Sequence, residues 1–107
     1  MLNKKTCVPC KGGIPPLTAK EIIPFLKELS SGWQPIENKQ IEKNYSFSTY
    51  LESIVFCNKV AKLAEVERHH PFIHINYKEV KIILFTHKIN GLHENDFIVA
   101  SKCDLLI

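Results

Sequence analysis

The chain holds a single tryptophan, a single methionine and only four glycines. None of its apolar runs approaches the ~18 residues that a membrane-spanning helix needs, which excludes a helical membrane protein. The opening residues MLNKKTCVPCKGG lack the apolar stretch of a signal peptide. A cytoplasmic protein with reduced thiols is therefore expected. Charge of one sign is also lacking. The net charge of +3 arises from Lys and Arg interleaved with Glu, which is no footprint for nucleic acid. No internal repeat and no low-complexity tract is present. At 107 residues, with 45% apolar and 23% charged content, one domain spanning 1–107 is expected, small enough to gain from self-association.

A second CxxC pair is missing as well. Cys7 and Cys10 form CVPC, whereas Cys57 and Cys103 stand alone. A zinc site wants a second ligand pair, so here only a distant histidine could complete one. A thioredoxin-type motif wants a strand before it and a helix after it. Instead Gly12, Gly13, Pro15 and Pro16 follow. CVPC is read first as part of an irregular arm, residues 1–17, and only then as a metal or redox motif. Cys57 lies in an apolar helical stripe and reads as a small core residue.

What is present is clear local punctuation. Thr18 with Glu21, and Thr49 with Glu52, have the spacing of capping boxes. Ile22, Phe25, Leu26 and Leu29 recur at helical spacing, which predicts a helix over 19–29 that tolerates Pro24 near its first turn. Residues 33–36 and 41–47 read as strands joined by the polar turn Glu37-Asn38-Lys39. A second helix is predicted over 50–66. One apolar stripe is Phe47, Tyr50, Leu51, Ile54, Cys57, Ala61 and Ala64, and another is Val55, Phe56, Val60 and Leu63. The second stripe is expected to meet another subunit, since a small domain has little left to cover it. Residues 72–77 and 80–87 read as a hairpin turning at Lys78-Glu79, with Val80, Ile82 and Leu84 on one face. From His93 a third helix follows, with Phe97, Ile98, Ala100 and Leu105 as contacts. The expected fold class is α+β, order α-β-β-α-β-β-α, with three helices on one face of a four-stranded antiparallel sheet.

Histidine is concentrated. His69, His70, His74 and His87 fall within residues 67–87, and only His93 lies outside. His69 and His70 precede Pro71 where the second helix gives way to a strand. His87 ends the strand that pairs with it. A tight hairpin brings those two ends together, so three imidazoles are expected at one corner, near Phe85 and Thr86. Three readings fit. Metal binding is disfavoured, because adjacent histidines share one ion poorly and helical ligand spacing is absent. General acid–base catalysis suits imidazole, whose ordinary pKa of ~6.5 lets it give and take protons at neutral pH. The plain alternative is capping and strand-end packing, which is less economical for three such residues together.

Glu65, His69-His70-Pro71, Tyr77, Val80, Thr86-His87, Gly91-Leu92 and Asp96 together resemble the signature of the pterin-4a-carbinolamine dehydratases. The resemblance extends to Gly32-Trp33 and to the leader CVPCKGGIPPL, and so covers almost the whole chain. It implies an enzyme that removes water from 4a-hydroxytetrahydrobiopterin to give quinonoid dihydropterin, recycling the cofactor of aromatic amino acid hydroxylases. It implies no metal and no organic cofactor. Carried over by position, the catalytic residues are His69, His70 and His87. His70 and His87 take the most direct proton transfers and His69 assists. Substrate contacts map to Arg68, His69, His70, Pro71, Phe85, Thr86, His87 and Lys88. Glu65 and Asp96 are expected to fix histidine tautomers, and Trp33 matches a position near the pocket. Two positions depart from animal members: Arg68 replaces an acidic residue and Phe85 a small one. Partners implied are the pterin and a homodimer or homotetramer formed through the second helix and the sheet edges, with no nucleic acid and no membrane. The alternative is a dimerisation or regulatory module that uses the second helix, as animal relatives use it toward a transcription factor.

Overall fold

Both capping boxes form. In the computed structural model, which describes residues 1–107, the Thr18 hydroxyl accepts the Glu21 amide while the Glu21 carboxylate accepts the Thr18 amide. This starts α1, Ala19–Glu28. Thr49 and Glu52 do the same for α2, Tyr50–Glu67. Each such cap is worth about 1 kcal/mol. Helix α1 continues through Pro24, and its Phe25 stacks on Phe97, ring centroids 5.1 Å apart. Helix α3 spans Glu94–Asp104. A one-turn 3-10 helix, Leu2–Lys4, gives the arm a foothold, since Leu2 is buried in the core.

The strands are β1 Gln34–Ile36, β2 Gln40–Ser46, β3 Phe72–Asn76 and β4 Glu79–Leu84. They form one antiparallel sheet in the order β1-β2-β4-β3. The element order is the expected one. Pairing of Ile41 with Leu84 and of Tyr45 with Val80 puts these residues on one face, where all are buried. The other face carries Asn44, Lys81, His74 and Asn76 and remains accessible. Alternation along β2 and β4 therefore makes one dry and one wet surface. Ile41, Val60, Val80, Ile82, Leu84, Phe97 and Val99 make the centre of the core.

Four local expectations need correction. The second stripe of α2 does not face outward as a unit: Phe56 is 2% exposed and Val60 0%, both in this chain's own core, and of that stripe only Val55 is exposed. The exposed large apolar residues of α2 are Tyr50, Leu51, Val55 and Val66. The two stripes adjoin, and periodicity alone does not say which one the sheet covers. The β3–β4 hairpin turns at Tyr77-Lys78, one residue earlier than expected, with Asn76 paired to Glu79 and Tyr77 at φ 55°. Strand β4 ends at Leu84, and His87 begins a short 3-10 turn, His87–Ile89. Leu105 is exposed, and Val99 and Cys103 pack in its place.

Candidate active site

The site begins with how α2 ends. Arg68 adopts the left-handed conformation (φ 54°, ψ 37°), and its amide and that of His69 both donate to the Ala64 carbonyl. That conformation costs a residue with a Cβ about 1–2 kcal/mol. It reverses the chain so that consecutive histidines diverge. Pro71 then holds His70 extended and leads into β3. His69 turns inward, its side chain 12% exposed, and His70 outward at 60%.

Opposite them is the loop after β4. The Thr86 amide donates to the Gly91 carbonyl at 2.8 Å, closing a loop that carries His87 and Lys88. Gly91 is required by contact rather than by φ: a Cβ there would lie 2.5 Å from Cβ of Pro16. The arm is pinned beside it, the Leu17 amide donating to the Leu92 carbonyl. Phe72 and Phe85 stack at 5.5 Å, and the His87 ring lies 4.4 Å from Phe85 and 6.0 Å from Phe72.

Helix α3 supplies the anchor. Asp96, fully buried, caps its own helix by accepting the His93 amide at 3.0 Å. It also accepts the Thr86 hydroxyl at 2.8 Å and the Nε2 proton of His69 at 2.5 Å. A buried carboxylate needs such donors, and the first turn of a helix favours its charge. With Nε2 donating, a neutral His69 ring keeps its lone pair on Nδ1. His70 Nε2 meets Glu65 at 2.6 Å, but in an exposed pair of much less consequence.

These groups surround one cleft of about 650 Å³. Arg68, His69, His70, Phe85, Thr86, His87 and Lys88 all line it. Of the sequence-derived set, Glu65, Pro71, Asp96 and Trp33 do not line it; Asp96 lies behind His69 and Thr86, and Glu65 pairs with His70 at the surface. The Trp33 indole instead donates to Asp104 at 3.0 Å and meets Tyr45 edge-on. The sequence reading missed the arm, where Cys7, Val8, Pro9 and Cys10 form one side of the cleft, and it missed Glu67 and Asn95. Only the odd composition of CVPCKGG hinted at them. Burial would raise the Glu67 pKa, but the Cys7 amide and Lys102 outweigh it and hold the carboxyl below its usual value. Burial, reinforced by Glu67, pushes the Cys7 thiol up to about 12, so it stays protonated at neutral pH. His74 faces a separate recess with Asn44 and Asn76, and His93 caps α3 through Nδ1.

Fold and site together define a small α+β protein with an imidazole-lined cleft backed by a buried carboxylate. Residues 15–106 match the family described as Pterin 4 alpha carbinolamine dehydratase, and the chain belongs to that family. A provisionally named pterin-4-alpha-carbinolamine dehydratase of Rickettsia canadensis is 45% identical, covering 97% of this chain and 95% of the relative. One from Rickettsia bellii is 47% identical, covering 98% and 93%. A crystal structure described as a transcriptional coactivator/pterin dehydratase from Brucella melitensis superposes with a TM-score of 0.79 at 30% identity, covering 85% of this chain and 97% of that one. A pterin dehydratase-like protein described as a RuBisCO assembly factor shares the fold, with a TM-score of 0.60 at 23% identity over 70% of this chain and 88% of that one.

Proposed function

We propose that this protein dehydrates a 4a-hydroxytetrahydropterin to quinonoid dihydropterin and water, as a cytoplasmic recycler of the pterin used by aromatic amino acid hydroxylases. The observation that carries the reading is the convergence of His69 and His70 from one segment and His87 from another on a single cleft. The C4a–O bond breaks, a protonated imidazole delivers its proton to the departing hydroxide, and a neutral imidazole takes the proton from the adjacent ring nitrogen. No electrons are exchanged with the protein, so the elimination asks for no redox partner. Solvent resets the two proton states.

The sequence pointed to His70 and His87 for these transfers. The geometry favours His69 and His87. His69 is the inward ring, and the buried Asp96 fixes its orientation and leaves Nδ1 as the basic atom. His87, beside Phe85 and Phe72, supplies the partner from the other segment. His70, outward and exposed, then contacts the bound ring. Arg68, Thr86 and Lys88 complete the binding surface, and Phe85 offers an aromatic face for a flat heterocycle.

The test is the decay of the ultraviolet absorbance of the 4a-hydroxy intermediate released by a hydroxylase. Wild type accelerates it, and His87→Ala loses about 10²–10⁴-fold in kcat. A wild-type protein that leaves the spontaneous rate unchanged would sink the assignment. A second reading concerns association. Tyr50, Leu51 and Val55 are exposed along α2, and Ile75 and Tyr77 along the β3 edge. We take these as the surfaces of a homodimer or homotetramer, which sedimentation of wild type against Leu51→Glu/Val55→Glu tests. The same patch would serve a regulatory partner, and an inert protein that stays monomeric and binds one would favour that module.

A further inference from the structure

The segment Cys7–Cys10 lies outside the matched residues 15–106, yet it forms one side of the cleft. It is held from three elements. The Glu67 carboxylate of α2 accepts the Cys7 amide at 2.9 Å and is itself bound by Lys102. Lys88 donates to the Cys10 carbonyl at 3.1 Å. The central contact is Asn95, 3% exposed. Its Oδ1 accepts the Val8 amide at 3.1 Å and its Nδ2 donates to the Val8 carbonyl at 2.6 Å. The Asn95 backbone carbonyl also accepts the Cys7 thiol at 3.6 Å. One side chain thus reproduces both bonds of a strand pairing, on a segment 87 positions away.

The bonding decides what the arm presents. The Cys7 amide, both polar groups of the Val8 backbone and the Cys10 carbonyl are spent on the protein, and Pro9 has no N–H. What remains is the Val8 and Pro9 side chains and the Cys10 thiol, together with the Cys7 and Pro9 carbonyls and the Cys10 amide, which make no hydrogen bond within the chain. Held this way, the segment sets one boundary of the cleft, with side chains to contact the face or a substituent of a flat ring and a few fixed backbone groups beside them.

We propose that Cys7–Cys10 is a fixed wall of the substrate cleft that governs substrate affinity, and that Asn95 is the positioning residue that holds it. This rests on the dehydratase reading. Asn95 also occupies the turn of α3 that carries Asp96, so one helix start holds both the proton-transfer machinery and the binding wall. The wall acts on binding and the neighbouring carboxylate on chemistry.

Asn95→Ala is expected to raise KM on the order of tenfold, the loss of about one to two net hydrogen bonds, with kcat within about twofold. Cys7 should become accessible, so alkylation of its peptide by iodoacetamide speeds up. Pro9→Gly, placed in the arm away from the core, should raise KM in the same way and covers the case in which Asn95→Ala folds poorly. Affinity for 7,8-dihydrobiopterin, read by its own fluorescence, should fall in parallel with KM. Faster Cys7 alkylation with unchanged KM, or a fall in kcat at constant KM, would overturn the proposal. A wild type that neither dehydrates nor binds the pterin instead overturns the functional reading beneath it, and the two failures are distinct.

Discussion

Helix α3 carries an aspartate in its first turn and another in its last, and the two have opposite consequences. Asp96 sits where the helix dipole favours a negative charge, and Asp104 where it does not. Asp104 is compensated by number: Lys43 at 2.9 Å, the Tyr45 phenol at 2.6 Å, the Ser30 hydroxyl at 2.6 Å and the Trp33 indole at 3.0 Å. Burial alone would raise its pKa, but these donors bring it below the ordinary aspartate value. The donors of that cluster bond only to Asp104 and to one another, Lys43 also donating to the Ser30 hydroxyl at 3.1 Å. Around Asp96 two donors reach further: Thr86 and His69 both line the cleft, and His69 gives Nε2 to the carboxylate while keeping Nδ1 free of it. A half-buried acid with closed partners joins elements of the fold. A buried acid whose partner retains a free reactive atom orients chemistry.

Substitutions can break that contrast. The largest effect is expected from Asp104→Ala, which leaves Lys43 without its counter-ion and should cost about 3 kcal/mol of stability, read by urea unfolding, with kcat per folded molecule unchanged. Asp96→Asn should do the reverse. It keeps the shape but no longer enforces the His69 tautomer, and kcat should fall about 10–100-fold with little change in unfolding midpoint. Gly91→Ala should cost about 1–2 kcal/mol by pushing Pro16 and the arm away, measurable as a lower Tm. Trp33→Phe removes one donor to Asp104 and should cost about 1 kcal/mol. It should leave KM unaltered, because the indole is not part of the cleft.

Acid sharpens the same comparison. The Asp104 and Glu67 carboxyls titrate below their ordinary values of 3.8 and 4.5. A group with a depressed folded pKa stabilises fully above its unfolded value and loses that contribution as pH falls through the folded one. Stability from these two groups should therefore be complete above pH 4.5 and decline below it. Thermal melts of wild type and Asp104→Asn should converge in that acid range.

Local signals in the sequence were read well. Thr18 with Glu21 and Thr49 with Glu52 announce helix starts because a cap is satisfied within four residues. The alternation through β4 announces its buried face for a similar reason. What stayed hidden depends on distant partners. Nothing near Val8 says that Asn95 will hold it, and nothing in the adjoining stripes of α2 says which one meets the sheet. His93 was passed over as a cap because imidazole is an uncommon acceptor at that position. The histidine corner was legible because one proline and one hairpin suffice to bring residues 69, 70 and 87 together. Its carboxylate support at Asp96 came only from the resemblance, and the inward and outward roles of His69 and His70 were not visible at all. They depend on Arg68 taking a left-handed conformation that its side chain does not favour.

The most direct test is the rate of water loss from 4a-hydroxytetrahydropterin for wild type, His69→Ala, His87→Ala and the double variant. If the two rings serve a single elimination, each single variant loses about 10²–10⁴-fold and the double loses little more. A His69→Ala protein that turns over at the wild-type rate would contradict the account.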